Sequence, residues 1–345
     1  MQRALNALSV SELTSLMKQL GYPAFRARQL FRFFHAERKL LLSEAQVLPK
    51  TLRDALADRP IRTAEVVYVR QSQLDGTKKF LLKMEGEAII ETVFMPYEDR
   101  NTLCVSTQIG CRMGCKFCAS TKAAFVRNLQ AEEILAEIYV VERETGCRID
   151  NIVLMGIGEP LDNYDEVMRF LRLVSDPLGK NLSLRSITLS TCGLTDRIDM
   201  LAEEGLPINL AISLHSTSDE RRRRTMPIAN KHPMNELLAA CARYFEKTSR
   251  RVSFEYVLIR GENDRPQDLA WLAQHLRGAG NHINLIALNE IREYDGMAVQ
   301  DRELEQFQKQ LEKRGVHATI RRRRGIDIDG ACGQLRIDFQ QRTEQ

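Results

Sequence analysis

Apolar positions along this chain change their period twice. Leu13, Leu16, Met17 and Leu20 recur at helical spacing, and Gly21 with Pro23 predicts a stop. A basic, aromatic stretch follows, Phe25-Arg-Ala-Arg-Gln-Leu-Phe-Arg-Phe-Phe34, whose rings are expected to pack rather than stack on bases. A third helix is predicted from Pro49 through Leu52 and Leu56, so residues 1–60 read as a small helical module. From Ala64 the period shortens to that of strands, at 66–69, 79–82 and 88–94, with turn signals at Asp75-Gly76 and Glu85-Gly86. Residues 61–100 therefore read as a β-rich connecting segment, and Leu103-Cys-Val-Ser106 opens the remainder, 101–345.

In that remainder strands and helices alternate. Strands are predicted at 151–155, 186–190, 208–213, 252–259, 283–287 and 317–321, and helices at 131–143, 164–174, 235–247, 267–276 and 303–314. Repeated βα units imply an α/β fold with a parallel sheet, curled or open, whose ligands gather at the carboxyl ends of the strands.

The 345 residues are 43% hydrophobic and 28% charged, ordinary for a globular enzyme with a full core. No stretch approaches the roughly 18 to 20 apolar residues of a membrane span, and Met1-Gln-Arg-Ala-Leu-Asn-Ala-Leu has no apolar h-region. A cytoplasmic protein is expected. Its eight cysteines then read as metal or catalytic thiols rather than a disulfide framework. The net charge of +4 is small, but arginines bunch at 221–224 and 321–324. Two such runs suit a phosphate-bearing partner, with solvated surface as the alternative.

Cys111, Cys115 and Cys118 form a C-x3-C-x2-C triplet beside Gly110 and Gly114. Three thiolates on one loop can hold three irons of a [4Fe–4S] cluster and leave the fourth open to a chelating molecule. Zinc is the rival ligand, although it favours paired C-x2-C arms or histidines, and the next histidine downstream is His215. Gly156-Ile-Gly-Glu-Pro-Leu-Asp-Asn163 follows an apolar strand and departs from a phosphate-binding glycine loop at Pro160 and Leu161. After such a triplet, Glu159 suits the amino group of S-adenosylmethionine (SAM). Ser190, Ser213, His215 and Asn289 end later strands and are further ligand candidates, with local capping or simple burial as the alternatives. Cys332, flanked by glycines in Asp327-Ile-Asp-Gly-Ala-Cys-Gly333, looks like a working thiol. Cys104, alone, reads as packing, and Cys147, Cys192 and Cys241 as structural.

Together these residues resemble the RlmN/Cfr family of radical-SAM RNA methyltransferases nearly end to end. The likeness includes Glu91 in Ile90-Glu-Thr-Val-Phe94, Arg127-Asn-Leu129, the Gly-x-Gly-Glu-Pro-Leu loop, Ser213-Leu-His215 and the cysteine motif near the C-terminus. The resemblance implies a partial (β/α)6 radical-SAM barrel behind a helical N-terminal module of RNA-binding type. It implies that Cys111, Cys115 and Cys118 ligate the cluster, and that Gly158, Glu159, Ser190, Ser213, Leu214, His215 and Asn289 contact SAM, two molecules per turnover. Cys332 would be methylated by one SAM. A 5′-deoxyadenosyl radical from the second would activate that methyl to attack C2 of an adenine. Glu91 would remove the ring proton, and Cys104 would release the product through a disulfide with Cys332. The implied substrates are 23S rRNA at adenosine 2503 and tRNA at adenine 37. The implied electron donor is a flavodoxin or ferredoxin, and the enzyme a monomer. Two departures, Gly-Ile-Gly-Glu for Gly-Met-Gly-Glu and Ala119-Ser-Thr-Lys for Ala-Thr-Gly-Lys, bear on C2 against C8 of the same adenine, the C8 product being the antibiotic-resistance alternative. A non-catalytic iron–sulfur RNA-binding protein is the alternative of another class.

Overall fold

The computed structural model describes residues 2–122, 124–278, 280–289 and 294–328. Three helices come first: α1 (Val10–Gln19), α2 (Phe25–His35) and α3 (Lys50–Leu56). Ser9 and Glu12 close a capping box at the start of α1, and Leu13, Leu16 and Met17 are its buried stripe. In α2 the rings of Phe31, Phe33 and Phe34 are buried, which agrees with the packing expectation.

A meander of β1 (Glu65–Gln71), β2 (Lys78–Lys83), β3 (Ile89–Pro96) and β4 (Asn101–Cys104) follows. Then β5 (Gln108–Ile109) and β6 (Arg127–Asn128) pair across the cysteine loop. The remaining elements are α4 (Ala131–Thr145), β7 (Asn151–Leu154), α5 (Tyr164–Ser175), β8 (Ile187–Thr191), α6 (Thr195–Glu203), β9 (Asn209–Ser213) and α7 (Asp219–Thr225). They continue with α8 (Met234–Thr248), β10 (Val252–Leu258), α9 (Pro266–Leu276), β11 (Asn281–Ala287), α10 (Asp301–Glu312) and β12 (Ala318–Ile320). Among the described residues no helix is long and apolar enough to cross a membrane.

Helices α6 and α7 were not expected. In α7 the sequence Asp-Glu-Arg-Arg-Arg-Arg-Thr carries no apolar stripe, and its one buried residue is Arg222. Its only local signal is a cap: Ser218 accepts from the Arg221 N–H, with acids in the first turn and arginines in the last.

One ten-stranded sheet has the order β1-β2-β3-β4-β7-β8-β9-β10-β11-β12. The first four strands are antiparallel neighbours, and β4 through β12 run parallel. Strand parity separates two faces. Phe80, Leu82, Ile90, Phe94, Leu103, Ile152, Leu154, Leu189, Leu210, Ile212, Phe254 and Leu285 join the main core under the helices. The alternate residues Lys79, Glu91, Cys104, Val153, Ser190, Ser213, Glu255 and Asn284 occupy the opposite face.

That opposite face is the inside of a curl. Five strand spacings separate β7 from β12, about 24 Å across a flat sheet. Yet Arg321 Nη1, one residue past β12, lies 3.3 Å from Met155 Sδ, one residue past β7. The chain after β12 then reaches back to the β1–β2 turn. Gly325 N–H donates to Asp75 Oδ2 at 3.0 Å, and the Asp327 carboxylate accepts from the Ser72 hydroxyl at 2.6 Å and the Gln73 N–H at 2.8 Å. This strap joins the two edges of the sheet.

The N-terminal helices dock on α4 and α5. Glu12 pairs with Arg169 and Arg3 with Glu166, while His35 Nδ1 lies 3.0 Å from the Tyr139 hydroxyl. Burial pushes the His35 imidazole down to about 3, so it is neutral when folded. The unfolded chain binds a proton near pH 6.5. The His35 contribution is therefore complete above pH 6.5 and erodes as pH falls toward 3. Between pH 7.5 and 5 it amounts to about 2 kcal/mol lost. Urea midpoints at the two pH values will show this slope, and His35→Gln will flatten it; an unchanged slope in the variant contradicts the assignment.

Candidate active site

The cysteine loop is pinned at both ends. Gly110 has φ +77°, and a side chain there would run into the Ala124 backbone carbonyl. Within the loop the Thr121 hydroxyl donates to the carbonyls of Cys115 (2.8 Å) and Cys118 (2.9 Å), and the Lys116 N–H to Thr225 at the end of α7 (2.9 Å). Met113, Cys115, Cys192 and Met226 form a small apolar cluster on which Cys111, Phe117 and Cys118 pack. Burial pushes the Cys111 thiol up to about 12 and the Cys115 thiol up as well, and the neighbouring sulfurs and Glu159 add to both.

Thiols so desolvated become thiolates when a cationic metal centre neutralises them. Among the described residues no three Cys, His, Asp or Glu side chains converge as ligands of a single ion must. A cube takes each thiolate at a separate iron, so three soft sulfurs spread over one apolar pocket fit a [4Fe–4S] cluster better than a zinc ion. Cys192 lies in the same pocket, buried, with its backbone N–H donating to the Glu159 carboxylate.

The Gly-rich loop lies against this pocket. Gly158 has φ +113°, and a Cβ there would sit 2.7 Å from the Gln108 Cβ, so only glycine fits. Gln108 is the hub of the region: its Oε1 accepts from the Glu159 N–H (2.9 Å) and its Nε2 donates to Asn128 (2.9 Å) and Asp162 (2.8 Å). The Glu159 carboxylate is buried and accepts from the N–H groups of Leu161 (3.0 Å) and Cys192 (2.7 Å). Burial raises its pKa, and backbone donors oppose that rise.

Ser190 and Ser213 are half-buried at the ends of β8 and β9, on the inner face. Leu214 and His215 follow, both buried. His215 has φ +53°; its Nδ1 accepts from the Val257 N–H at 3.0 Å, and its ring meets Phe117 edge-on at 5.1 Å. The proton therefore sits on Nε2. Burial, with help from Arg222, pushes the ring down to about 3, leaving a neutral donor. Asn289 is exposed, and no contact among the described residues ties it to the cysteine loop.

Glu91 and Cys104 lie on neighbouring strands of the inner face. Cys104 pairs with Val93 on one side and Val153 on the other. Glu91 is buried, and its Oε2 is 3.0 Å from Lys79 Nζ. The Ser106 hydroxyl donates to the Glu91 carbonyl (2.7 Å) and accepts from the Ile157 N–H (3.0 Å), tying this strand to the Gly-rich loop. Cys332 lies outside the described residues. Ile328, the last described residue, belongs to the strap that is anchored on the β1–β2 turn.

Within the arginine runs one residue, Arg222, is not surface, while Arg223, Arg224, Arg322 and Arg323 are exposed. Arg222 is fully buried and donates to the carbonyls of Cys192 (2.7 Å), Ser213 (3.3 Å) and Leu214 (3.3 Å). It thus holds together the ends of β8 and β9. Arg221 pairs with Asp268, leaving Arg223 and Arg224 outward, the latter paired with Glu220. In the second run Arg321 faces Glu255 at 3.8 Å and Arg324 stacks 4.3 Å over Tyr97. Lys79, Ser106, Gln108 and Arg222 are site residues with no motif of their own; only strand parity and the α7 cap point to them.

Residues 105–272 match the Radical SAM superfamily. A relative from Finegoldia magna, described as a probable dual-specificity RNA methyltransferase RlmN, is 47% identical over 97% of this chain and 96% of its own. One from Clostridium perfringens with the same description is 48% identical over 96% of each. The crystal structure of a radical SAM methyltransferase from Sphaerobacter thermophilus superposes with a TM-score of 0.91 at 41% identity, covering 96% of this chain and 99% of that one. With the cysteine loop, the Gly-rich loop and the curled parallel sheet in place, this chain belongs to the RlmN/Cfr family of radical-SAM RNA methyltransferases.

Proposed function

We propose that this chain methylates C2 of an adenine in 23S rRNA, at the position of adenosine 2503, and of adenine 37 in tRNA. The observation that carries this reading is the placement of Glu91 and Cys104 as diagonal neighbours on the inner face, next to the strand that feeds the Gly-rich loop. A base and a second thiol there suit removal of a ring proton and a disulfide release, which simple methyl transfer does not need. The relatives' description as dual-specificity RNA methyltransferases supports a second RNA substrate.

Cys111, Cys115 and Cys118 hold the cluster, and Gly158, Glu159, Ser190, Ser213, Leu214, His215 and Asn289 hold SAM. When bound, the cluster and SAM supply a hydrogen-abstracting radical, with one electron from a flavodoxin- or ferredoxin-like donor and a second SAM as methyl source. The Cys332 sulfur takes the methyl and, once that methyl has lost a hydrogen atom, presents its carbon to C2. C2 of adenine is electron-poor, so radical addition succeeds where direct methyl transfer is unfavourable. Glu91 takes the C2 proton, and the one surplus electron of the radical adduct passes to the oxidised flavodoxin- or ferredoxin-like donor. Cys104, as thiolate, attacks the Cys332 sulfur; a disulfide forms, the sulfur–carbon bond breaks with its electron pair on the carbon, and that carbon takes up a proton to become the methyl of the freed base. The adenine must leave its stack to reach the inner face, so unpaired or splayed RNA is the substrate.

Mass spectrometry of digested rRNA and tRNA, from a strain lacking this chain and one carrying it, tests the reading. 2-Methyladenosine in both RNAs is expected only with the chain present. A purely 8-methyl product, or none, overturns it.

A further inference from the structure

Lys79 Nζ lies 3.0 Å from Glu91 Oε2, and the two side chains are 0% and 1% exposed. Register makes them diagonal neighbours on β2 and β3, Lys79 opposite Val93 and Leu81 opposite Glu91, both on the inner face. Cys104 lies opposite Val93 from the other side, so it too is a diagonal neighbour of Glu91. A buried ion pair is a weak stabilising device, since its desolvation cost rivals its attraction and apolar replacements often serve as well. Its placement on the reactive face rather than in the core therefore asks for a chemical reason.

Other carboxyls of this interior show what burial alone does. Glu137 (behind β3), Glu159 and Glu255 are each driven toward the neutral form by desolvation. A neutral carboxyl cannot accept a proton. The charged or titratable groups flanking Glu91 are Lys79 on β2 and Cys104 on β4, with Glu137 of α4 on the other face of the sheet, bonded to Thr92 and to the Ser106 N–H. Among the described residues, the positive charge beside Glu91 comes from Lys79.

We propose that Lys79 is a positioning residue for the methylation, holding Glu91 as an oriented carboxylate ready to take the C2 proton. This rests on the reading of Glu91 as the base. In that step the proton passes from C2 to a Glu91 oxygen, the C–H electron pair stays with the ring, the adduct's one surplus electron passes to the oxidised flavodoxin- or ferredoxin-like donor, and the Lys79 ammonium keeps its protons.

The test uses the cluster-loaded protein as Lys79→Met, Lys79→Arg and Glu91→Gln, with RNA deuterated at C2 of the target adenine. Lys79→Met is expected to keep its iron and its methylated Cys332. It should accumulate a protein–RNA adduct that still holds the C2 deuterium, and release product about 100-fold more slowly or worse, the scale of general-base catalysis. Lys79→Arg should restore most of the release. Product release by Lys79→Met at the parental rate overturns the proposal. So does joint loss of iron and Cys332 methylation, which marks a purely structural pair. Glu91→Gln separates the two readings: if it releases product normally, the base assignment itself fails. If Glu91→Gln stalls with deuterium retained while Lys79→Met does not, only the role of Lys79 falls.

Discussion

A Cys332→Ala variant will load its iron–sulfur cluster and fold as the parent does, yet release no methylated RNA. The triplet Cys111, Cys115 and Cys118 sits on a loop held by β5 and β6 and by α7, far in sequence from residue 332, so cluster content is independent of that thiol. The methyl, by contrast, has no other carrier in the proposed scheme. Removing the atom that forms the covalent intermediate costs on the order of 10^4-fold or more in enzymes that depend on one. Iron and sulfide content together with product counting checks the prediction, and methylation within tenfold of the parent refutes the two-stage route.

Cys104→Ala is expected to fail differently. Its thiol is buried on β4, in register with Val93 and Val153, and alanine removes one sulfur from a strand whose backbone pairing is otherwise kept. Cys332 can still be methylated and can still reach the base. Without the attacking thiolate the bond from Cys332 to the base persists, so RNA remains covalently attached to the protein. A denaturing gel will show a band shifted by the mass of the RNA, approaching one adduct per chain, and turnover will stop after the first round. Free methylated RNA without any adduct contradicts the role of Cys104.

Much of the fold was legible because most strands carry one strongly apolar face and the helices keep a clear stripe. Every predicted strand from 151 to 321 is present within a few residues. Short α7 escaped because its buried face is a single guanidinium, Arg222, satisfied by backbone carbonyls that no local pattern announces. The site divides the same way. The cysteine triplet and the Gly-rich loop are legible because ligand spacing and backbone conformation are local properties. Lys79 reads as one of two adjacent lysines, and only the parity of Phe80 and Leu82 reveals that it turns inward. The curl and the strap were hidden for a related reason. They depend on the Met155–Arg321 and Ser72–Asp327 contacts, between residues that are distant in sequence and individually ordinary.

The central claim is that the transferred carbon passes through Cys332 and loses a hydrogen there before it reaches the adenine. The most direct measurement supplies the cluster-loaded protein and unmodified RNA with SAM carrying three deuteriums on its methyl group, and weighs the methyladenosine after digestion. The account predicts a product methyl that retains two deuteriums and has gained one ordinary hydrogen. A product methyl with all three deuteriums shows direct transfer and contradicts it.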